Sequence, residues 1–145
     1  ILNPAPVQDY PEGLLEQVDF LIPNEHEAAL LTGEATDKSA DATHAARTLA
    51  EAGAQTVIVT RGSKATVWST ATQSGSCGVC HVEPVDTVAA GDAFCGGFAT
   101  ALAEGRDLGE ALRWASAAGG LATTAEGAVP SLPRRAAVEA LLGEA

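Results

Sequence analysis

Methionine is missing from this 145-residue chain, and aromatic residues make up only 4% of it. Ile1 opens the sequence. With no initiating Met it reads as a processed or truncated piece, so the lack of a leader segment says little. Basic residues are few: 8 Lys and Arg stand against 19 Asp and Glu, for a formal net charge of −11. So acidic a chain repels a phosphate backbone and argues against nucleic acid as a partner. A small anion can still be held locally at a helix N-terminus. Cysteine is scarce and odd in number, at 3 residues, which suits a reducing, cytoplasmic compartment better than a disulfide framework. No run approaches ~20 uninterrupted apolar residues, so no membrane partner is expected. What remains is 46% hydrophobic and 19% charged, the profile of one soluble globular domain. A chain of this length buries roughly two thirds of its unfolded surface.

Periodicity predicts alternating strands and helices. Residues 1–3 read as a strand end running into Pro4 and Pro6. A short helix is expected over 11–18 and a buried strand over 19–22, closed by Pro23. Asn24 caps a helix through about Leu31 that Gly33 ends. Ala42, Ala45, Ala46 and Leu49 recur at helical spacing and predict a helix over 41–52. The continuous β-branched run 56–60 reads as a strand covered on both faces. Strands are expected over 65–69 and 81–85, with an exposed turn over 70–78. From Ala90 onward the chain reads as helical. Asp107 with Glu110 forms a capping box, and Leu108, Ala111, Leu112, Ala115, Ala118 and Ala122 form an apolar stripe. A loop over 126–133 leads to a last helix ending near Leu142. This alternation predicts an α/β layered fold with a largely parallel sheet, whose ligands sit beyond the carboxyl ends of the strands.

The strongest chemical signal is Val85-Asp86-Thr87-Val88-Ala89-Ala90-Gly91-Asp92-Ala93-Phe94. Small residues enter a helix here with a carboxylate in its first turn. Backbone N–H groups at such a start can hold the oxygens of a phosphoryl group in transfer, and the Asp can take a proton from an attacking hydroxyl. The plain alternative is an ordinary helix start in which Asp92 only favours the dipole.

The segment from Asp86 to Asp92 resembles D-T-x-[GA]-A-G-D, the signature of the ribokinase-like (PfkB-type) carbohydrate kinases. Four further stretches are similar to that family, in matching order: Asn3-Pro4-Ala5-Pro6; Pro23-Asn24-Glu25-His26-Glu27 followed by Leu31-Thr32-Gly33; Thr60-Arg61-Gly62-Ser63-Lys64; and Gly127-Ala128-Val129-Pro130-Ser131. The resemblance implies a three-layer α-β-α, Rossmann-like sheet truncated at its N-terminus. Residues 1–145 would form the C-terminal nucleotide-binding part, with the sugar-binding and lid half absent. The implied reaction moves the γ-phosphoryl of ATP to a sugar hydroxyl. The N-P-A-P segment favours ribose, giving ribose 5-phosphate; fructose, deoxyribose or a nucleoside is the alternative. A non-catalytic nucleotide-binding remnant is a reading from another class.

By the same resemblance, Asp92 is the base that meets the substrate hydroxyl, and Ala89, Ala90 and Gly91 form the anion hole. Asn24 and Glu27 hold the water shell of Mg²⁺ and the phosphates. Thr60, Arg61, Gly62, Ser63, Lys64 and Ala65 contact the nucleotide, with Arg61 and Lys64 able to add positive charge. Ser116 lies near the adenine, where the family often has Asn or His. Asp86, Val88, Ala122, Ala125, Gly127 and Ser131 match the loops that bind an activating K⁺. The full-length protein would be a homodimer, and this piece alone poorly active. Read without the family, Asn24 and Glu27 are a helix cap plus a solvated acid, and Thr60-Arg61-Gly62 is a strand-end turn. A Gly-x-x-x-x-Gly-Lys-[Ser/Thr] loop is absent, which argues against a P-loop enzyme.

One motif competes. Cys77-Gly78-Val79-Cys80-His81 fits C-x-x-C-H, the attachment sequence of c-type haem, and offers zinc ligands too. It has no second C-x-x-C and no Met for an axial ligand, so chance in a small-residue turn is favoured. Under oxidation Cys77 and Cys80 could pair. Cys95 reads as core, and His26 and His44 as solvated.

Overall fold

The structure is a computed structural model that describes residues 1–143. The chain divides into two compact units, Ile1–Ser76 and Cys77 onward. The first is built on a sheet and the second on helices.

The first unit opens with Leu2 bridged in parallel to Leu21, so residues 1–3 pair as an isolated bridge rather than a strand. A single 3-10 turn, Leu15–Gln17, stands where a short helix was expected. β1 is Phe20–Leu21. α1, Glu25–Thr32, starts at Asn24 and stops at Gly33, whose φ of 73° is the left-handed value that glycine adopts without penalty. α2, Ser39–Glu51, buries Ala42, Ala45, Ala46 and Leu49, the four residues its spacing picked out. β2, Thr56–Val59, is buried at every position, as a strand covered on both faces must be. β3 is Thr66–Ser69 and β4 is Ser74–Cys77, giving the sheet order β1-β2-β3-β4. Val18, Leu21, Ala28, Val57, Val59 and Val67 close the core against α2.

Two expectations are corrected here. The sheet is mixed: β1 pairs parallel with β2, but β2 pairs antiparallel with β3. The reason is connection length. Two helices join β1 to β2, whereas residues 60–65 alone join β2 to β3, too short for a parallel crossover. The stretch 70–78 is also more than a turn, since β4 forms inside it. A Cβ on Gly75 would stand 2.8 Å from the Trp68 ring, so the glycine lets the indole lie against the edge strand.

The second unit begins with segment 77–89, which forms no strand over 81–85. It lies instead along α4, Leu108–Ala122. Gly78 carbonyl accepts from Ser116 Oγ at 3.2 Å, and a Cβ on Gly120 would meet Cys80 O at 3.7 Å and Val82 at 3.6 Å. Side-chain contacts to a helix replace the ladder partner that a strand needs. α3 is Ala90–Ala103. Phe94, Phe98 and Ala101 of α3 are buried, as are Ala111, Leu112, Trp114, Ala115, Ala118 and Ala122 of α4. Gly97 brings the two helices close: a Cβ there would be 2.8 Å from that of Ala118. The Asp107–Glu110 capping box is formed. A short helix, α5 (Ala128–Ser131), breaks the expected loop, and α6 is Arg135–Leu142. The Trp114 ring carries two guanidinium groups, Arg106 at 4.4 Å and Arg135 at 5.3 Å from its centroid. Among the described residues no helix is long and apolar enough to cross a membrane.

Candidate functional site

In the first unit the site residues gather where β1 and β2 end. Asn24 and Thr60 form a parallel bridge, and Thr60 N–H donates to Pro23 O at 3.0 Å. The start of α1 and the loop 60–65 are therefore one platform. Asn24 Oδ1 accepts from Glu27 N–H at 2.9 Å, and Glu27 Oε2 accepts from Asn24 N–H at 2.8 Å. The two polar residues of the N-x-x-E pair thus cap the helix reciprocally. Asn24 is exposed and Glu27 half-buried.

The loop holds a feature that sequence reasoning missed. Glu25 Oε1 accepts from Arg61 Nε at 2.9 Å and from Lys64 Nζ at 3.3 Å. Arg61, expected to contact the nucleotide and add positive charge, has its side chain 5% exposed and is neutralised inside the unit. Lys64 stays half in solvent. Gly62 and Ser63 are exposed and Ala65 half-buried. Gly62 takes a φ of 58° at the turn. The available signal was an acid following the Asn cap and a basic pair around a Gly-Ser turn, separated by 36 residues in the closer case.

In the second unit a turn over 86–89 feeds α3. Asp86 Oδ1 accepts from Val88 N–H at 3.0 Å and Oδ2 from Gly127 N–H at 3.0 Å. The Val88 amide and then the Gly127 amide hold this carboxyl below the usual carboxylate range. Val85 and Asp86 N–H both donate to Thr123 O. Asp86, Val88 and Gly127 are thereby brought together. Ala122 is buried at the end of α4, Ala125 is exposed, and Ser131 Oγ donates to Ala128 O at 2.9 Å.

Ala89 is the only non-glycine with positive φ among the described residues, at 63°. Left-handed backbone costs an L-residue roughly 1–2 kcal/mol, and such strain concentrates where backbone is held for a purpose. Ala90 N–H is directed back to Thr87 O at 3.3 Å, while Gly91 and Asp92 are exposed in the first turn of α3. Asp92 therefore faces solvent and not the core. Ser116 is buried, with its hydroxyl given to Gly78 O.

This order of a capped Asn-x-x-Glu, a strand-end loop and a strained turn into Gly-Asp matches the family model for pfkB family carbohydrate kinase, over residues 1–135. The chain belongs to the pfkB carbohydrate kinase family. The ribokinase of Haemophilus influenzae is 41% identical over 135 residues, which are 93% of this chain and 44% of that protein. The chain thus spans less than half the length of the relative it matches. The crystal structure of a Thermotoga maritima ribokinase superposes with a TM-score of 0.88 at 36% identity, covering 97% of this chain and 48% of that one. The structure of Arabidopsis thaliana ribokinase complexed with ribose and ATP gives 0.85 at 36% identity, covering 91% and 43%. The pfkB member described here has the ribokinase-like α/β fold.

The competing C-x-x-C-H motif gains nothing from the structure. Cys77 and Cys80 are half-buried thiols. Burial pushes both up; Cys80 raises Cys77 further, and Arg113 opposes the rise in each. Among the described residues no group of three or more His, Cys, Asp or Glu converges to hold a metal. Cys95 is half-buried rather than core, and His26 and His44 are exposed as expected.

Proposed function

We propose that this chain carries the nucleotide-handling part of an ATP-dependent sugar kinase, with ribose as the sugar. The single observation that carries the reading is the turn at 89–92. A strained Ala89 delivers an exposed Gly91 and Asp92 to the N-terminal end of a 14-residue helix. Phosphoryl transfer needs placed charge more than covalent chemistry. In the proposed reaction the Asp92 carboxylate takes the proton of a primary sugar hydroxyl as its oxygen attacks the γ-phosphorus. The bond from that phosphorus to the bridging oxygen of ADP breaks. Amides of Ala89 and Gly91, joined by that of Ala90 if it leaves Thr87 O, stabilise the charge that builds on the transferring group.

In the first unit, the nucleotide contacts of this reading are loop residues 60–65. Ribose and ATP are the ligands of the Arabidopsis relative, which supports both here. Mg²⁺ suits the oxygen donors of Asn24 and Glu27, reached through water because their oxygens already cap α1. When bound it would neutralise phosphate charge. K⁺ suits the Asp86 carboxylate and the carbonyl groups of Val88, Ala122, Ala125, Gly127 and Ser131, an all-oxygen set. Homodimerisation of the whole protein belongs to the same proposal.

The test is Asp92→Asn in the full-length protein. Loss of a general base lowers kcat by about 10²–10⁴, and MgATP affinity by calorimetry should change less than about twofold. Turnover at the wild-type rate would remove Asp92 from the mechanism.

A further inference from the structure

Glu25 has no part in the reading above, yet it organises the loop that reading uses. It is the first residue of α1, where the helix dipole favours negative charge. A single oxygen, Oε1, takes both Arg61 Nε at 2.9 Å and Lys64 Nζ at 3.3 Å. The two cations are not equivalent. Arg61 is locked in, its side chain 5% exposed, with Nη2 also donating to Asp37 O at 3.4 Å. Lys64 is 52% exposed, so its ammonium is tethered on one side and open on the other. Lys64 N–H donates to Arg61 O at 3.0 Å, which links the two positions through the turn itself. Glu25 and Glu27 balance Arg61 and Lys64 on this platform, and the open side of the Lys64 ammonium is what it presents as positive charge at its solvent rim.

We propose that Glu25 is the positioning residue of the strand-end loop: it anchors Arg61 inside the unit and holds Lys64 at the rim, in the geometry that meets the anionic phosphates of a nucleoside triphosphate. The proposal rests on the reading of residues 60–65 as a nucleotide contact. A lysine stem has several rotatable bonds, and a tethered ammonium loses less freedom on binding an anion than a free one. Asn24 and Glu27 serve a different end: they cap α1 reciprocally and would meet Mg²⁺ through water.

Calorimetric titration of MgATP into the protein tests it, with Glu25→Gln, Lys64→Met and the double variant. Each single change should weaken MgATP by about tenfold, the scale of one charge-assisted hydrogen bond. The double variant should be no weaker than Lys64→Met alone, because Glu25 acts through Lys64. In turnover by the full-length protein, Glu25→Gln should raise KM for ATP by a similar factor while kcat and the KM for sugar stay within about twofold. If Glu25→Gln misfolds because Arg61 is stranded without a partner, Glu25→Gln with Arg61→Leu removes the stranded charge. That variant should fold and still bind MgATP weakly. Unchanged or tighter MgATP binding on losing Glu25, with Lys64→Met weakened, overturns this inference and leaves the loop reading standing. Unchanged binding in Lys64→Met overturns both. A lower kcat at constant KM for ATP also overturns the positioning role.

Discussion

Two residues of the 86–92 turn make opposite demands on the backbone, and each predicts its own measurement. Ala89 sits at φ 63°, a conformation that costs an alanine about 1–2 kcal/mol and a glycine almost nothing. Glycine gives back part of that through its freer unfolded chain. Ala89→Gly should therefore stabilise the protein by about 0.5–1 kcal/mol, read as a higher urea midpoint at constant slope. A lower midpoint would mean that the alanine methyl is packed to advantage. Asp86 works the other way, pulling the turn onto Gly127 with both carboxylate oxygens. Its folded pKa is depressed by the Val88 and Gly127 amides. Its stabilising contribution is therefore present above the unfolded value of about 3.9 and is lost as pH falls through the lower folded value. Asp86→Asn should flatten the acid limb of the stability profile below about pH 4. An unaltered acid limb in that variant would show that the carboxylate contributes nothing through its ionisation.

At the scale of elements, helix pairing in the second unit hangs on small side chains. Gly97 faces Ala118 so closely that an added Cβ would lie 2.8 Å from its methyl. The contact is between two helix bodies, which relax less readily than a flexible side-chain end. Gly97→Ala should therefore destabilise by about 1–3 kcal/mol despite its better helix propensity. A gain in thermal midpoint would show that the helices separate cheaply. The same elements mark how far sequence reading reaches. α2 was legible because four core residues repeat at helical spacing, and the Asn24 cap and the Asp107–Glu110 capping box because their residue types are local signals. The antiparallel turn of β3 was missed because strand direction depends on connection length, not on the β-branched pattern of either strand. Segment 81–85 was misread because its alternation is the same whether it meets a strand or, as here, the face of α4. The site divides in the same way. Asp92 and Gly91 were visible as a contiguous motif, whereas Glu25 with Arg61 and Lys64 joins residues 36 and 39 apart, which periodicity cannot pair.

For the molecule as a whole, the charge is the property that the proposed ligand must contend with. The chain carries −11, and MgATP is itself an anion, so long-range electrostatics oppose their encounter. Against this stands a local attraction in the first unit, the rim ammonium of Lys64. The two act over different distances. At 0.01 M salt the Debye length is about 30 Å and the whole chain repels the nucleotide; at 0.15 M it shrinks to about 8 Å, which screens the distant carboxylates and spares much of the close contact. The association rate of MgATP, measured by stopped-flow fluorescence, should therefore rise severalfold between those salt concentrations. This is the reverse of the fall that a basic cleft produces. A rate that drops with salt would mean that the positive rim dominates at long range, and that the −11 of the chain is turned away from the nucleotide's approach.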